Sequence, residues 1–122
     1  MADQPPLVLV IDDDPSMVRS VSRLLAVHGF TTKTFSSAEA FLAGTSNTDA
    51  ACLLLDIHLG GISGFELNRT LCALGSKLPV IFMTAVYDDA TEQEAIRTGC
   101  VAYLRKPFSA SQLLEAIKKA AA

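Results

Sequence analysis

Short apolar runs alternate along this chain with segments of helical periodicity. Three runs, at 7–11 (LVLVI), 51–55 (ACLLL) and 79–83 (PVIFM), are apolar on both faces and partly β-branched. Such runs are typical of parallel strands that are covered by helices on both sides of the sheet. Weaker strand patterns lie at 31–35 and 101–104. The alternation of about five strands with helices predicts an α/β fold with right-handed crossover connections.

Helix-start signals stand between these runs. A capping side chain accepts a hydrogen bond from an unpaired backbone N–H group at the start of a helix, and proline is tolerated in the first turn. His28 and Gly29 provide a stop for the first helix. We expect five helices with the following start residues: Asp14 before Pro15, Ser36 with Glu39, Ser63 before Gly64, Asp89 with Glu92, and Ser109 with Gln112.

Length and composition limit the class of protein. The chain has 122 residues, of which 50% are hydrophobic and 19% are charged. These values predict a single domain at 1–122 with its core at about 7–120. The net charge is −3 and no run of Lys and Arg is present, which argues against direct nucleic-acid binding. No apolar run is long enough to span a bilayer, and no basic residue precedes position 7, which argues against a membrane anchor and a secretory signal.

The three cysteines are widely spaced and form no metal-ligand pattern. An odd number of such residues is typical of reduced, mostly buried thiols. We therefore expect a cytoplasmic protein.

Polar and charged side chains follow the predicted strands. Three aspartates (12–14) follow the first strand, Asp56 the third and Thr84 the fourth, and Lys106 comes shortly after the fifth. Ligands gather at the carboxyl ends of parallel strands, so these side chains would meet at one edge of the sheet. Crowded carboxylates repel one another unless a cation lies among them, and Mg²⁺ prefers oxygen ligands. One carboxylate could then attack phosphorus and form an aspartyl phosphate, whose oxygens a lysine and a hydroxyl would stabilise.

Each of these residues also has a simpler explanation. An aspartate after a strand is often only a helix cap, which is an equal alternative for Asp14. Turn and capping roles are open to Asp12 and Asp13 as well. Lys106 alone would most often be a surface lysine, and Thr84 could simply end a strand. The combination of all of them at strand ends favours phosphoryl-transfer chemistry.

The motifs resemble those of response-regulator receiver domains over about 7–120. VLVIDDDPS is similar to the family's first strand and acidic pocket, and LLLDIHLGGISGFEL to its phosphoacceptor strand and the following loop. PVIFMTA is similar to the fourth strand with its switch hydroxyl, and YLRKPF to the fifth strand with its lysine and proline. At these spacings the set is highly specific. The resemblance implies a flavodoxin-like, doubly wound, five-stranded parallel sheet of order 2-1-3-4-5 with helices on both faces.

The resemblance implies a phosphoryl site with a magnesium ion. Asp56 would be the phosphorylated aspartate, and Lys106 would pair with the phosphoryl oxygens. The ligands of Mg²⁺ would be Asp12, Asp13, Asp56 and the backbone carbonyl of His58.

The resemblance implies a switch as well. Thr84 would turn towards the phosphoryl oxygens, Tyr103 would change rotamer as Thr84 moves, and the peptide bond before Pro107 would be cis. His58 and Val86 occupy positions that would tune the lifetime of the phosphoryl group. For His58, a solvated loop histidine is an equal alternative.

The loop after the phosphoacceptor strand departs from the family's pattern. Gly60 stands where the family usually has a proline, and Gly61 follows at once. Two glycines should widen the conformational range of the loop that holds the His58 carbonyl. Metal affinity and loop order are the properties that this departure would affect.

The resemblance implies a signalling domain and not a turnover enzyme. A sensor histidine kinase, or a small acyl phosphate, would supply the phosphoryl group. The added charge would alter the surface around the fourth helix, the last strand and the last helix. That surface would control a DNA-binding output domain beyond this chain, or form a phosphorylation-dependent homodimer, in transcriptional regulation. FSSAEAFL and PVIFMTA look most like receivers that precede a helix-turn-helix output domain.

Two alternative functions come from other classes. A magnesium-dependent phosphohydrolase of the haloacid dehalogenase type has an Asp-x-Asp pair after its first strand, which residues 12–14 could supply. Its later acidic pair should follow the lysine, however, and here Asp88 and Asp89 precede Lys106. The other alternative is an interaction module that has lost the chemistry. The complete set of acids, Thr84 and Lys106 argues against it.

Overall fold

Strands and helices alternate throughout the computed structural model, which describes residues 6–44, 50–86 and 88–121. The strands are β1 (Leu7–Ile11), β2 (Thr31–Phe35), β3 (Cys52–Asp56), β4 (Val80–Thr84) and β5 (Ala102–Arg105). The helices are α1 (Pro15–Val27), α2 (Ala38–Gly44), α3 (Gly64–Ala73), α4 (Asp89–Arg97) and α5 (Ala110–Ala121). All strand pairs are parallel and the sheet order is β2-β1-β3-β4-β5, which confirms the predicted fold.

The sheet has an apolar layer on each face because successive side chains of a strand point to opposite sides. Val8 and Val10 of β1 lie in the layer that α1 and α5 cover, together with Leu25 and Ile117. Leu9 and Ile11 lie in the other layer, under α2, α3 and α4. Every residue of β3 and β4 is buried. The centre of the sheet therefore gives the residues at its carboxyl edge a rigid support.

Three of the predicted helix starts are confirmed. Asp14 accepts a hydrogen bond from the Ser16 N–H at 3.0 Å, with Pro15 in the first turn of α1. Reciprocal side-chain and backbone bonds form capping boxes at the starts of α3 and α5, between Ser63 and Glu66 and between Ser109 and Gln112. The first helix also ends as predicted, at His28 with Gly29 at φ +86°.

Two predicted helix starts are wrong by one residue. At α2 the cap is Ser37, whose hydroxyl accepts from the Ala40 N–H at 3.0 Å, and the predicted partner Glu39 bonds elsewhere. At α4 the cap is Asp88, which accepts from the Thr91 N–H at 2.7 Å. Each correct cap stands next to a residue of the same type, so the sequence pattern could not choose between the two.

Three strands begin and end one residue later than predicted. β3 extends to Asp56 because its backbone pairs with Met83, and β4 extends to Thr84 because it pairs with Arg105. Asp56 and Thr84 are thus the last residues of strands and not the first residues of loops. Backbone pairing on the sheet holds both of them.

Among the described residues, no helix is both long enough and apolar enough to cross a membrane.

Candidate functional site

The carboxyl edge of the sheet brings three polar side chains together. Asp12 directly follows β1, Asp56 ends β3 and Thr84 ends β4, and these three strands are neighbours. The exposed fractions of the residues are only 1%, 5% and 0%. Burying carboxylates and a hydroxyl costs free energy unless partners compensate. Three such residues at one edge therefore indicate a functional site and not a packing solution.

Lys106 supplies the positive charge of the site. Its Nζ donates to Asp12 Oδ2 at 2.7 Å and to Asp56 Oδ2 at 3.3 Å. The Lys106 backbone N–H donates to the carbonyl of Thr84 at 2.7 Å, and its peptide bond to Pro107 is cis. Lys106 is therefore a site residue and not a surface lysine.

Each buried carboxylate uses one oxygen for Lys106 and the other for the backbone. Asp12 Oδ1 accepts from the Asp14 N–H at 3.0 Å. Asp56 Oδ1 accepts from the His58 N–H at 3.2 Å. The backbone thereby fixes the orientation of both carboxylates.

The electrostatics of the site reflect burial and crowding. Burial first, and then the negative charge of Asp12, raise the pKa of Asp56, although Lys106 and the His58 N–H oppose this. Burial acts to lower the pKa of Lys106, but its bond to Asp12 and the charges of both aspartates outweigh burial and raise that pKa. The ammonium is therefore charged at neutral pH, and the site still has more negative charge than one lysine can offset.

Asp13 completes a cluster that suits a metal ion. Asp12, Asp13 and Asp56 each offer a carboxylate oxygen, and these oxygens all lie within 4.8 Å of one another. Asp13 is exposed, so a cation can enter from solvent. An all-oxygen set that is partly open to water fits Mg²⁺, which keeps several waters when it binds. Coordination by the His58 carbonyl stays a prediction; the loop that carries it begins directly after Asp56, and the His58 N–H donates to Asp56 Oδ1.

The hydroxyl of Thr84 bonds within its own loop. Thr84 Oγ1 accepts from the Val86 N–H at 3.0 Å and lies 3.4 Å from the Val86 carbonyl oxygen. Among the hydrogen bonds of the described residues, none joins the Thr84 hydroxyl to Asp56 or Lys106. Val86 is exposed just beyond β4. The hydroxyl is thus near the aspartate strand end but turned away from it.

Tyr103 lies on β5 opposite Phe82 of β4. Its hydroxyl is buried and has no hydrogen-bond partner among residues 6–44, 50–86 and 88–121. Burial, followed by the charge of Glu92, raises the pKa of Tyr103. A buried, unpaired hydroxyl destabilises the arrangement that holds it by roughly 1–3 kcal/mol.

Two contacts of the loop after Asp56 escaped the sequence patterns. The carboxylate of Glu39 accepts from the Ile62 N–H at 3.1 Å, in the loop after Asp56. Gly64 packs so closely on the end of β3 that an added Cβ would clash with the Asp56 carbonyl oxygen and lie 2.9 Å from Ile57 Cα. The capping-box pattern assigned Glu39 a local role, and nothing in the sequence signals its contact with Ile62.

Comparison with known proteins shows the family. The family model for the response regulator receiver domain matches residues 8–118. This chain belongs to the response regulator receiver family. The match includes all of the site just described and all five strands except the first residue of β1.

Among curated relatives, the response regulator protein TmoT of Ectopseudomonas mendocina is 35% identical over 120 residues, which are 98% of this chain and 54% of TmoT. The transcriptional regulatory protein FixJ of Rhizobium meliloti (strain 1021) is 34% identical over 113 residues, 93% of this chain and 55% of FixJ. The chain thus spans about half the length of these relatives.

Among solved structures, FixJ-N superposes with a TM-score of 0.88 at 34% identity, covering 97% of this chain and 94% of that one. The response regulator StyR gives a TM-score of 0.86 at 36% identity, with 95% of this chain and 59% of StyR covered. This chain is thus similar to the receiver domains of known response regulators, and several of its relatives are named as transcriptional regulators. Neither the fold nor these relatives support the phosphohydrolase alternative.

Proposed function

We propose that this receiver, one domain over 1–122, accepts a phosphoryl group on Asp56 in a reaction that requires Mg²⁺. The observation that carries the proposal is the pairing of Lys106 Nζ with Asp12 and Asp56, at 2.7 and 3.3 Å, beside a third carboxylate. Two buried carboxylates and an ammonium at a sheet edge are costly for stability. They are the groups that phosphoryl transfer to an aspartate needs.

In the proposed reaction the Asp56 carboxylate attacks phosphorus. The bond from phosphorus to the donor's nitrogen or oxygen breaks, and the new bond joins Asp56 to phosphorus, so the donor leaves with its electron pair. The backbone N–H of His58 holds one Asp56 oxygen and so orients the nucleophile. Lys106, already within reach of Asp56 Oδ2, neutralises charge on the transferred oxygens.

Asp12, Asp13, Asp56 and the His58 carbonyl would hold Mg²⁺. The bound ion supplies positive charge for the phosphoryl oxygens. The receiver would later lose the phosphoryl group by slow hydrolysis. It would act as a phosphoacceptor and not as a turnover enzyme. His58 and Val86 lie beside the site and would set that rate, and exchanging either should change the phosphoryl lifetime.

The signal would begin at Thr84. The phosphoryl oxygens are stronger acceptors than the Val86 carbonyl, so the Thr84 hydroxyl would leave its loop and donate to them. Tyr103, whose hydroxyl has no hydrogen-bond partner in the described part of the chain, would move as the loop shifts. The surface formed by α4, β5 and α5 would change, because Thr84 pairs with β5 and Tyr103 lies on β5.

The partners follow from the same mechanism. A sensor histidine kinase in the cytoplasm would be the donor. The altered surface would control a C-terminal DNA-binding output domain, as expected for a chain that spans half the length of transcriptional relatives, or would pair two receivers.

Intact mass after incubation with acetyl phosphate tests the proposal. The receiver with Mg²⁺ should gain one phosphoryl group, and EDTA or Asp56→Asn should abolish the gain. Asp89→Asn, an exposed change of the same kind in α4, is the matched control and should leave it intact. Absence of any gain would instead favour an interaction module that does not use phosphorylation. Turnover of acetyl phosphate by Asp56→Asn would favour a hydrolase.

A further inference from the structure

The loop between β3 and α3 is fixed at both ends. At its start the His58 N–H bonds to Asp56. At its end the Gly64 N–H donates to the Ile57 carbonyl at 2.9 Å, and Ser63 begins the capping box of α3. Gly60 and Gly61 lie between these anchors, and glycine is the residue with the least backbone restriction. The middle of the loop therefore depends on contacts from elsewhere for its order.

Glu39 of α2 makes such a contact. Its Oε2 accepts from the Ile62 N–H at 3.1 Å, a bond between residues 23 positions apart. Its carboxylate also lies against Gly61, where an added Cβ would be 2.7 Å from Oε2 and 3.3 Å from both Cδ and Oε1. Gly61 has φ +88°, a conformation that side chains disfavour. The positive φ thus favours glycine at 61, and a side chain there would also have to displace the Glu39 carboxylate.

Glu39 is available for this contact because it does not cap its own helix. Ser37 provides the cap of α2, and the Glu39 side chain extends across to the loop. α2 packs on the sheet through Ala38 and Phe41, which are buried on either side of Glu39. The carboxylate is therefore presented from a well-anchored helix.

We propose that Glu39 is a positioning residue for the metal site. Its carboxylate holds the Gly61–Ile62 backbone and thereby holds the loop that carries the His58 carbonyl, the role that the family's proline would otherwise serve through its restricted backbone. The inference rests on the proposed function, since it concerns the loop beside Asp56. Among the described residues, no hydrogen bond or ion pair joins Glu39 to Asp56 or Lys106.

Magnesium titration followed by amide NMR tests the proposal. One hydrogen bond lost at an exposed position corresponds to a factor of roughly two to ten in an equilibrium constant. We therefore expect Glu39→Ala to weaken Mg²⁺ binding about threefold to tenfold and to speed hydrogen exchange at the Ile62 amide. Glu39→Gln keeps an acceptor oxygen without the charge and should retain most of the affinity. Glu115→Ala, an exposed glutamate in α5, is the matched control and should behave as the wild type.

The outcomes separate this proposal from the one on which it rests. Wild-type affinity and unchanged Ile62 exchange in Glu39→Ala would overturn the positioning role. Equal losses of Mg²⁺ affinity in Glu39→Ala and Glu39→Gln would also overturn the positioning role, because the loss of negative charge alone would then explain the weaker binding. Failure of the wild type to bind Mg²⁺ would instead refute the metal site itself, whatever the variants do.

Discussion

Lys106→Met should destabilise this receiver, although it replaces a charged side chain by an apolar one of similar length. The ammonium lies 2.7 Å from Asp12 and 3.3 Å from Asp56. With an effective dielectric constant of about 20, these distances correspond to attractions of about 6 and about 5 kcal/mol. The cost of removing the ammonium from water, several kcal/mol, offsets much of this sum.

The carboxylates left behind decide the net effect. The Asp12 side chain is 0% exposed and that of Asp56 is 7% exposed, so water can replace the lost partner only in part. Removing one partner of a buried ion pair costs about 3–5 kcal/mol, and we expect a loss of about 3 kcal/mol in the free energy of unfolding because Asp13 leaves the site open to solvent. With a urea m-value of about 1.5 kcal/mol/M, the unfolding midpoint should fall by about 2 M.

Urea unfolding followed by circular dichroism at pH 7 with EDTA measures this loss. Lys77→Met, an exposed lysine in the loop before β4, is the control and should change the midpoint little. Mg²⁺ should restore part of the stability of Lys106→Met, because it supplies the missing positive charge. A variant as stable as the control, with or without the metal, would refute the reasoning that the ammonium offsets buried carboxylates.

Two further changes test the same electrostatics and packing. The pKa of Asp56 is raised from 3.8 by burial and by Asp12, so the stability that protonation provides is present below 3.8 and lost as the pH rises through the raised value. Without metal, Asp56→Asn should therefore have a free energy of unfolding at pH 7 that is greater than that of the wild type by on the order of 1 kcal/mol, measured by urea unfolding. This difference in stability should shrink towards pH 4, and equal stability at pH 7 would contradict the prediction. Tyr103→Phe removes a buried hydroxyl with no described partner, so thermal unfolding should show unchanged or up to about 1 kcal/mol greater stability, and a clear loss would mean that the hydroxyl is bonded.

The sequence predicts the layers of this fold well because hydrophobic periodicity records burial directly. The apolar runs that became β1, β3 and β4 are buried on both faces, which a covered parallel strand requires. The same reasoning cannot place strand ends, since backbone pairing and not hydrophobicity carries β3 to Asp56 and β4 to Thr84. Caps have the same ambiguity when two competent residues are adjacent, as at Asp88 and Asp89.

The site follows from the sequence only through topology. Lys106 and Asp12 are 94 positions apart, and nothing local relates them. The parallel order of the strands brings their carboxyl ends to one edge, so residues after different strands can meet there. What topology does not give is orientation: the Thr84 hydroxyl lies at the expected strand end yet bonds to Val86.

The two glycines after Asp56 show most clearly why side-chain contacts have to be seen. The sequence treats Gly60 and Gly61 alike, as two sources of loop freedom. In the structure a Cβ at Gly60 would meet no described atom within 4 Å, whereas one at Gly61 would collide with Glu39 and would require a left-handed backbone. Position 60 therefore has room for a side chain, and steric crowding does not explain why glycine stands there in place of the family's proline. At position 61 glycine makes room for the Glu39 carboxylate that holds the loop. The pair of glycines predicts a wide conformational range for the loop, whereas the Glu39 contact restricts that range.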